Sequence, residues 1–128
     1  MKKYNTCIGL DLGDHYSYFC VLDEDGQVVK EDRVATDAKA FEKVFGRFKE
    51  SCVALETGTH SPWVSRLLAK LVKRVYVANA REVRLIHKNP KKSDQLDART
   101  LARLVRYDPE LLKPVRHRSE DAQADLTV

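Results

Sequence analysis

Three β-rich runs, "NTCIGLDLG" (5–13), "HYSYFCVLD" (15–23) and "QVVKEDRVA" (27–35), follow one another almost without interruption. Spacing this short leaves room only for tight turns, of which "EDG" at 24–26 is one, so the second and third runs form a hairpin. After residue 35 the pattern changes. "TDAKAFEKVFGRFKES" (36–51) places Ala40, Phe41, Val44, Phe45 and Phe48 at helical spacing behind a Thr36 or Asp37 cap. "CVALE" (52–56) is a short apolar run of the kind that forms a buried parallel strand. The loop "TGTHSPW" leads into a helix with Pro62 in its first turn, ending near Lys73. "RVYVANA" (74–80) is a fifth strand, a short helix over 80–87 follows, and "KNPKK" is a basic loop. A last helix runs from Ser93 to about Arg106. The order β-β-β-α-β-α-β-α predicts an α/β fold, a mixed five-stranded sheet with helices on its faces.

The 128 residues suffice for one domain with a continuous core. No run approaches the ~20 apolar residues of a membrane span, and the apolar stretch in "MKKYNTCIGL" is too short for a signal peptide. Cys7, Cys20 and Cys52 form no C-x-x-C pair and sit inside apolar runs. They read as small core residues with free thiols, and the chain as a cytoplasmic one.

Charge is unevenly spread. Residues 66–92 carry nine Lys and Arg (66, 70, 73, 74, 81, 84, 88, 91, 92) against Glu82 alone, a local excess of +8 in a chain whose net charge is +4. Such an excess suggests a surface facing phosphate. Within it, Arg81 just past the fifth strand, and Lys91 and Lys92 before the last helix, are the candidate nucleic-acid contacts.

Four acids interrupt apolar patterns. Asp11 closes the first strand and Glu56 the fourth. If those strands are parallel neighbours, ~4.8 Å apart, both acids emerge at one carboxyl edge, where open α/β sheets place their sites. Asp94, Asp97, Leu101 and Leu104 are spaced three, four and three apart, one stripe of the last helix, with Ser93 as its N-cap. Leucines on that stripe face the sheet and carry the aspartates with them. Four carboxylates in one place repel unless neutralised. Oxygen ligands without His or Cys point to Mg2+ or Mn2+, and two such ions suit phosphodiester chemistry.

"IGLDLG", "ALETGTHSPW", "VYVANAREVRLI" and "KKSDQLDARTLARL", in this order, resemble the N-terminal domain of the DEDD transposases of bacterial insertion sequences, the "one-ten" family that includes Piv-type DNA invertases. The resemblance covers most of residues 5–115, and K-x-D-x-x-D-A-x-x-L-A, here Lys92 to Ala102, is its most specific part. It implies a ribonuclease-H-like (RuvC-like) fold. It also implies that Asp11, Glu56, Asp94 and Asp97 are the family's D, E, D and D, binding Mg2+ (or Mn2+) for DNA strand cleavage and joining. Some members are guided by a structured RNA, and the family has a C-terminal domain carrying a serine implicated in catalysis. The expected division is therefore a catalytic domain over 1–108, with 109–128 opening a linker or helix towards that further domain. Homo-oligomerisation is expected of the full-length protein.

Other readings stay open. A binding and assembly module, inactive without the C-terminal domain, would need the basic segment but not the acids. A Holliday-junction-resolvase-like nuclease shares fold and metals, although the "KKSDQLDARTLARL" spacing favours the transposase branch. "GLDLGDHYSYFCVLDEDG" also suggests an actin-like phosphotransferase, but that fold needs a second matching domain and another phosphate loop. His60 reads as a loop or capping residue, and Trp63 as packing beneath the second helix.

Overall fold

A computed structural model describes residues 4–79, 81–83 and 96–116. It contains β1 (Thr6–Asp11), β2 (Tyr16–Leu22), β3 (Val28–Ala35), α1 (Ala38–Phe45), β4 (Ser51–Glu56), α2 (Ser61–Ala69), β5 (Arg74–Ala78), α3 (Ala98–Tyr107), a 3-10 turn (Pro109–Leu112) and β6 (Pro114–Val115). The sheet order is β3-β2-β1-β4-β5-β6. β1, β4 and β5 are mutually parallel, whereas β2, β3 and β6 run antiparallel to their neighbours. This is the mixed α/β sheet expected of a ribonuclease-H-like chain, with a sixth strand added.

Period-two alternation divides the strands between two unlike faces. Ile8 and Leu10 of β1, Phe19 and Val21 of β2, and Val53 and Leu55 of β4 join Phe41, Phe45, Val64 and Leu68 of α1 and α2 in the larger core. The other face is made of small residues. Cys7, Cys52, Ala54 and Ala78 pack under Leu101 and Val105 of α3, with Cys20 and Leu22 under Ala98 and Ala102. Gly9 lies between these groups. A Cβ there would stand 2.6 Å from the Ala102 nitrogen and closer still to the Ala98 carbonyl oxygen, so α3 rests on bare β1 backbone. All three cysteines are free and buried, with Cys52 Sγ donating to Cys7 Sγ at 3.4 Å.

One expectation needs correction. The last helix does not extend through residue 97. Asp97 has extended backbone (φ −79°, ψ 169°) and is the N-cap of α3, its Oδ1 accepting from the Thr100 amide at 2.7 Å. The buried stripe is Ala98, Leu101, Ala102 and Val105, with Leu104 only half-buried. Asp97 therefore precedes that stripe rather than lying on it, because an Asp that closes the first turn cannot also sit inside it. The expected cap, Ser93, lies outside the described residues.

Residues 109–116 follow α3 and pack on the domain. Leu112 is fully buried beside Leu101 and Val105, the Asn79 amide donates to its carbonyl, and Val115 pairs with Val77. A two-residue strand holding a proline gives no periodic signal, and Pro114 is tolerated because β6 is an edge.

Candidate metal and nucleic-acid site

The parallel register pairs Leu10 with Leu55, which sets Asp11 and Glu56 side by side at the carboxyl edge. Parity fixes their direction. Asp11 follows Cys7 and Gly9, and Glu56 follows Cys52 and Ala54, so both carboxylates leave the sheet on the face covered by α3. Neighbouring parallel strands place them ~4.8 Å apart at the backbone. Both are half-buried and line one cleft of about 320 Å3 with Asp14, Thr57, His60, Leu96 and Leu101. A larger hollow, about 430 Å3, lies at the opposite edge between Tyr4, Tyr76 and Arg106, with Asp23 and Glu24 of the β2–β3 turn in its lining.

α3 is antiparallel to β1: its start rests on Gly9 and its Val105 on the cluster containing Cys7. The helix entrance therefore comes to the acid edge. The amide of Leu96 donates a hydrogen bond to Oε1 of Glu56, tying the residue before Asp97 directly to the β4 acid. Asp97 is exposed, and it is near enough to Glu31 on β3 to affect its ionisation. Arg99 dominates there. Its guanidinium, 2.5 Å from Glu31 Oε1, holds the carboxyl below the usual range, and the Asp97 charge opposes this only weakly.

Thus Asp11 and Glu56 are brought together with the Leu96 backbone. Among the described residues, no group of three or more His, Cys, Asp or Glu side chains is arranged to hold a metal. Asp94, Lys91 and Lys92 lie outside the described residues. Arg81 is exposed in the helical turn at 81–83, whose Glu82 amide is capped by Asn79 Oδ1. Because Ala78 pairs with Glu56, that turn leaves β5 at the acid edge. Lys73 and Arg74 lie at the other end of β5, a strand length from Arg81.

The pair fits a hard divalent cation in donor chemistry. Both are carboxylates, and Mg2+ is commonly held by one or two of these, with water and substrate phosphate completing its shell.

One element of the rim escaped the sequence reading. His60 Nδ1 accepts from the Trp63 indole N–H at 3.0 Å, which leaves Nε2 to carry the proton and donate to Asp14 Oδ1, also at 3.0 Å. The chain Trp63–His60–Asp14 thus clamps the β1–β2 turn to the loop after Glu56. Trp63 itself stacks on Phe41, as its core reading required. Ser61 is buried and bonded to both the amide and the carbonyl of Gly58. The only advance signal was His60 lying one helical turn past Glu56; its partner Asp14 is distant in sequence.

A family model described as Transposase, of the IS110-type DEDD class, matches residues 8–127. The chain belongs to that transposase family. The match takes in both strand-end acids and the "KKSDQLDARTLARL" block. Among curated proteins, none matches the chain. A domain of this family acts on DNA, and no helix among the described residues is long and apolar enough to cross a membrane.

Proposed function

We propose that this domain cleaves and rejoins DNA strands of an insertion sequence at a Mg2+ (or Mn2+) site. Its protein ligands are Asp11 and Glu56, joined by Asp94 and Asp97 once DNA is bound. The observation that carries the reading is the placement of Asp11 and Glu56 on one face at one strand edge, beneath the entrance of α3. Divalent metal there would polarise the scissile phosphate and favour the ionised form of the attacking oxygen.

The protein's own part is positioning. The Leu96 amide fixes the rotamer of Glu56, and the close seat of α3 on Gly9 sets the distance between the helix entrance and the β1 acid. Arg81, Lys91 and Lys92 follow β5 or precede α3 and would meet phosphates flanking the acids. Lys73 and Arg74, a strand length away, favour a second polyanion bound apart from the substrate, for which a structured guide RNA is suited. The free, buried cysteines accord with work in the cytoplasm.

Calorimetric titration of Mn2+ into the wild-type chain and Asp11→Ala, each with and without DNA, tests the reading. Wild type should bind, and Asp11→Ala should lose at least about tenfold in affinity. Absence of Mn2+ binding in wild type, even with DNA present, would remove the mechanism. DNA or RNA binding that survives Asp11→Ala without any metal dependence would favour the assembly module.

A further inference from the structure

The face under α3 continues beyond the start of that helix, and what it shows there is aromatic. β1 pairs with β2 so that Asp11 stands directly opposite Tyr18, and β2 pairs with β3 so that Tyr18 stands opposite Arg33 and Tyr16 opposite Ala35. Directly opposed residues point to the same side of a sheet. Gly9 and Cys20, the pair before Asp11 and Tyr18, lie under α3, so Asp11, Tyr18, Arg33 and Tyr16 all belong to this face. Tyr16 is 46% exposed and Tyr18 52%, and Arg33 is exposed with its guanidinium 4.3 Å over the centre of the Tyr16 ring.

Two large rings open to water, side by side on a sheet and next to a strand-end acid, are not explained by the core. Their alternation partners, Ser17 and Phe19, are the buried ones. Nor does folding need an arginine held over one of them.

We infer that Tyr16, Tyr18 and Arg33 form a stacking platform for single-stranded DNA. On it, bases of the strand leading to the Asp11–Glu56 edge lie on the tyrosine rings, and Arg33 meets the backbone. Three features select this occupant. Exposed aromatic rings on a sheet accept bases whatever their sequence. A guanidinium stacked on a ring keeps its outer N–H groups for phosphate. The row also runs without a break into Asp11, so a strand whose phosphate reaches that acid passes over Tyr18 first. The position of the platform relative to the reaction rests on the function proposed above; its affinity for a single strand does not.

The test separates the two. Fluorescence anisotropy of a labelled single-stranded oligothymidylate, in EDTA, is measured with the 128-residue chain and with Tyr16→Ala, Tyr18→Ala, Tyr18→Phe and Arg33→Ala variants. Each tyrosine-to-alanine change should weaken binding about tenfold. Tyr18→Phe, which keeps the ring, should bind as wild type. Arg33→Ala should weaken binding and flatten its salt dependence. Both tyrosines are half exposed, so the alanine variants should keep the wild-type melting temperature, read alongside.

Unchanged affinity in folded Tyr16→Ala and Tyr18→Ala overturns the inference. So does equal loss in Tyr18→Phe, or a preference for duplex of the same length. Unchanged DNA affinity with a shift in sedimentation of the alanine variants would place a second copy of the chain on this face instead. Should Mn2+ fail to bind while the tyrosine effects persist, the platform stands and the metal mechanism falls.

Discussion

Asp97 has two duties that can be separated by one atom. As N-cap it closes the first turn of α3 through the Thr100 amide; as a carboxylate it is proposed to join the metal site. Asn caps about as well as Asp. Asp97→Asn should therefore melt within a degree or two of wild type yet bind Mn2+ at least about tenfold more weakly in the presence of DNA. Asp97→Ala should do both harms, losing about 1 kcal/mol of stability as well. Equal Mn2+ affinity in Asp97→Asn and wild type would reduce Asp97 to a cap. Gly9 makes the complementary case, since nothing it does is chemical. A methyl at that position meets helix backbone, which cannot swing aside as a side chain would. Gly9→Ala should cost about 3 kcal/mol or more in urea denaturation, at the upper end of overpacking changes. It should also weaken metal binding by lifting the entrance of α3 from the acids, whereas tolerance would mean that α3 seats more loosely than the geometry states.

At the scale of elements, α3 is held by its small-residue seat beneath and by a lateral ion pair. Arg99 makes two hydrogen bonds to Glu31, at 2.5 and 3.1 Å, and so ties the helix to edge strand β3. Because this pair holds the Glu31 pKa below its ordinary 4.5, its contribution is complete above that pH and is lost as pH falls through the lower folded value. Glu31→Gln should accordingly melt below wild type at neutral pH, the two curves converging as pH falls through the lowered Glu31 value. The pair is half exposed, so high salt should narrow the neutral-pH gap as well. A gap that grows on acidification would reverse the assigned sign. The same lateral tie steadies the edge next to Arg33, linking helix placement to the tyrosine platform.

For the molecule as a whole, much was legible because the signals were local. Alternation in β1 and β2, the apolar run of β4, and the Phe41–Phe45 spacing of α1 each state their element within a few residues. Asp11 and Glu56 were findable because both end such runs, and parallel pairing then aligns them. Residues whose meaning depends on distant partners were not legible. Gly9 acquires its role only when α3 lies on it. Leu96 acts through its backbone amide, which every residue possesses. Asp14 finds His60 across two loops, and β6 is too short to carry a period. Asp97 was misplaced within its helix because capping and striping use the same residue type at adjacent positions, and the cap prevailed.

Asp11 and Glu56 are proposed as one half of a cation site completed at the entrance of α3. A crystal of the chain grown with Mn2+ and a short DNA, with the metal located by anomalous scattering, measures this most directly. Mn2+ should be found at Asp11 and Glu56, with carboxylate oxygen from Asp94 or Asp97 and a DNA phosphate beside it. Ordered DNA with no anomalous peak at those two strand ends, or with Mn2+ only at another surface, would contradict it.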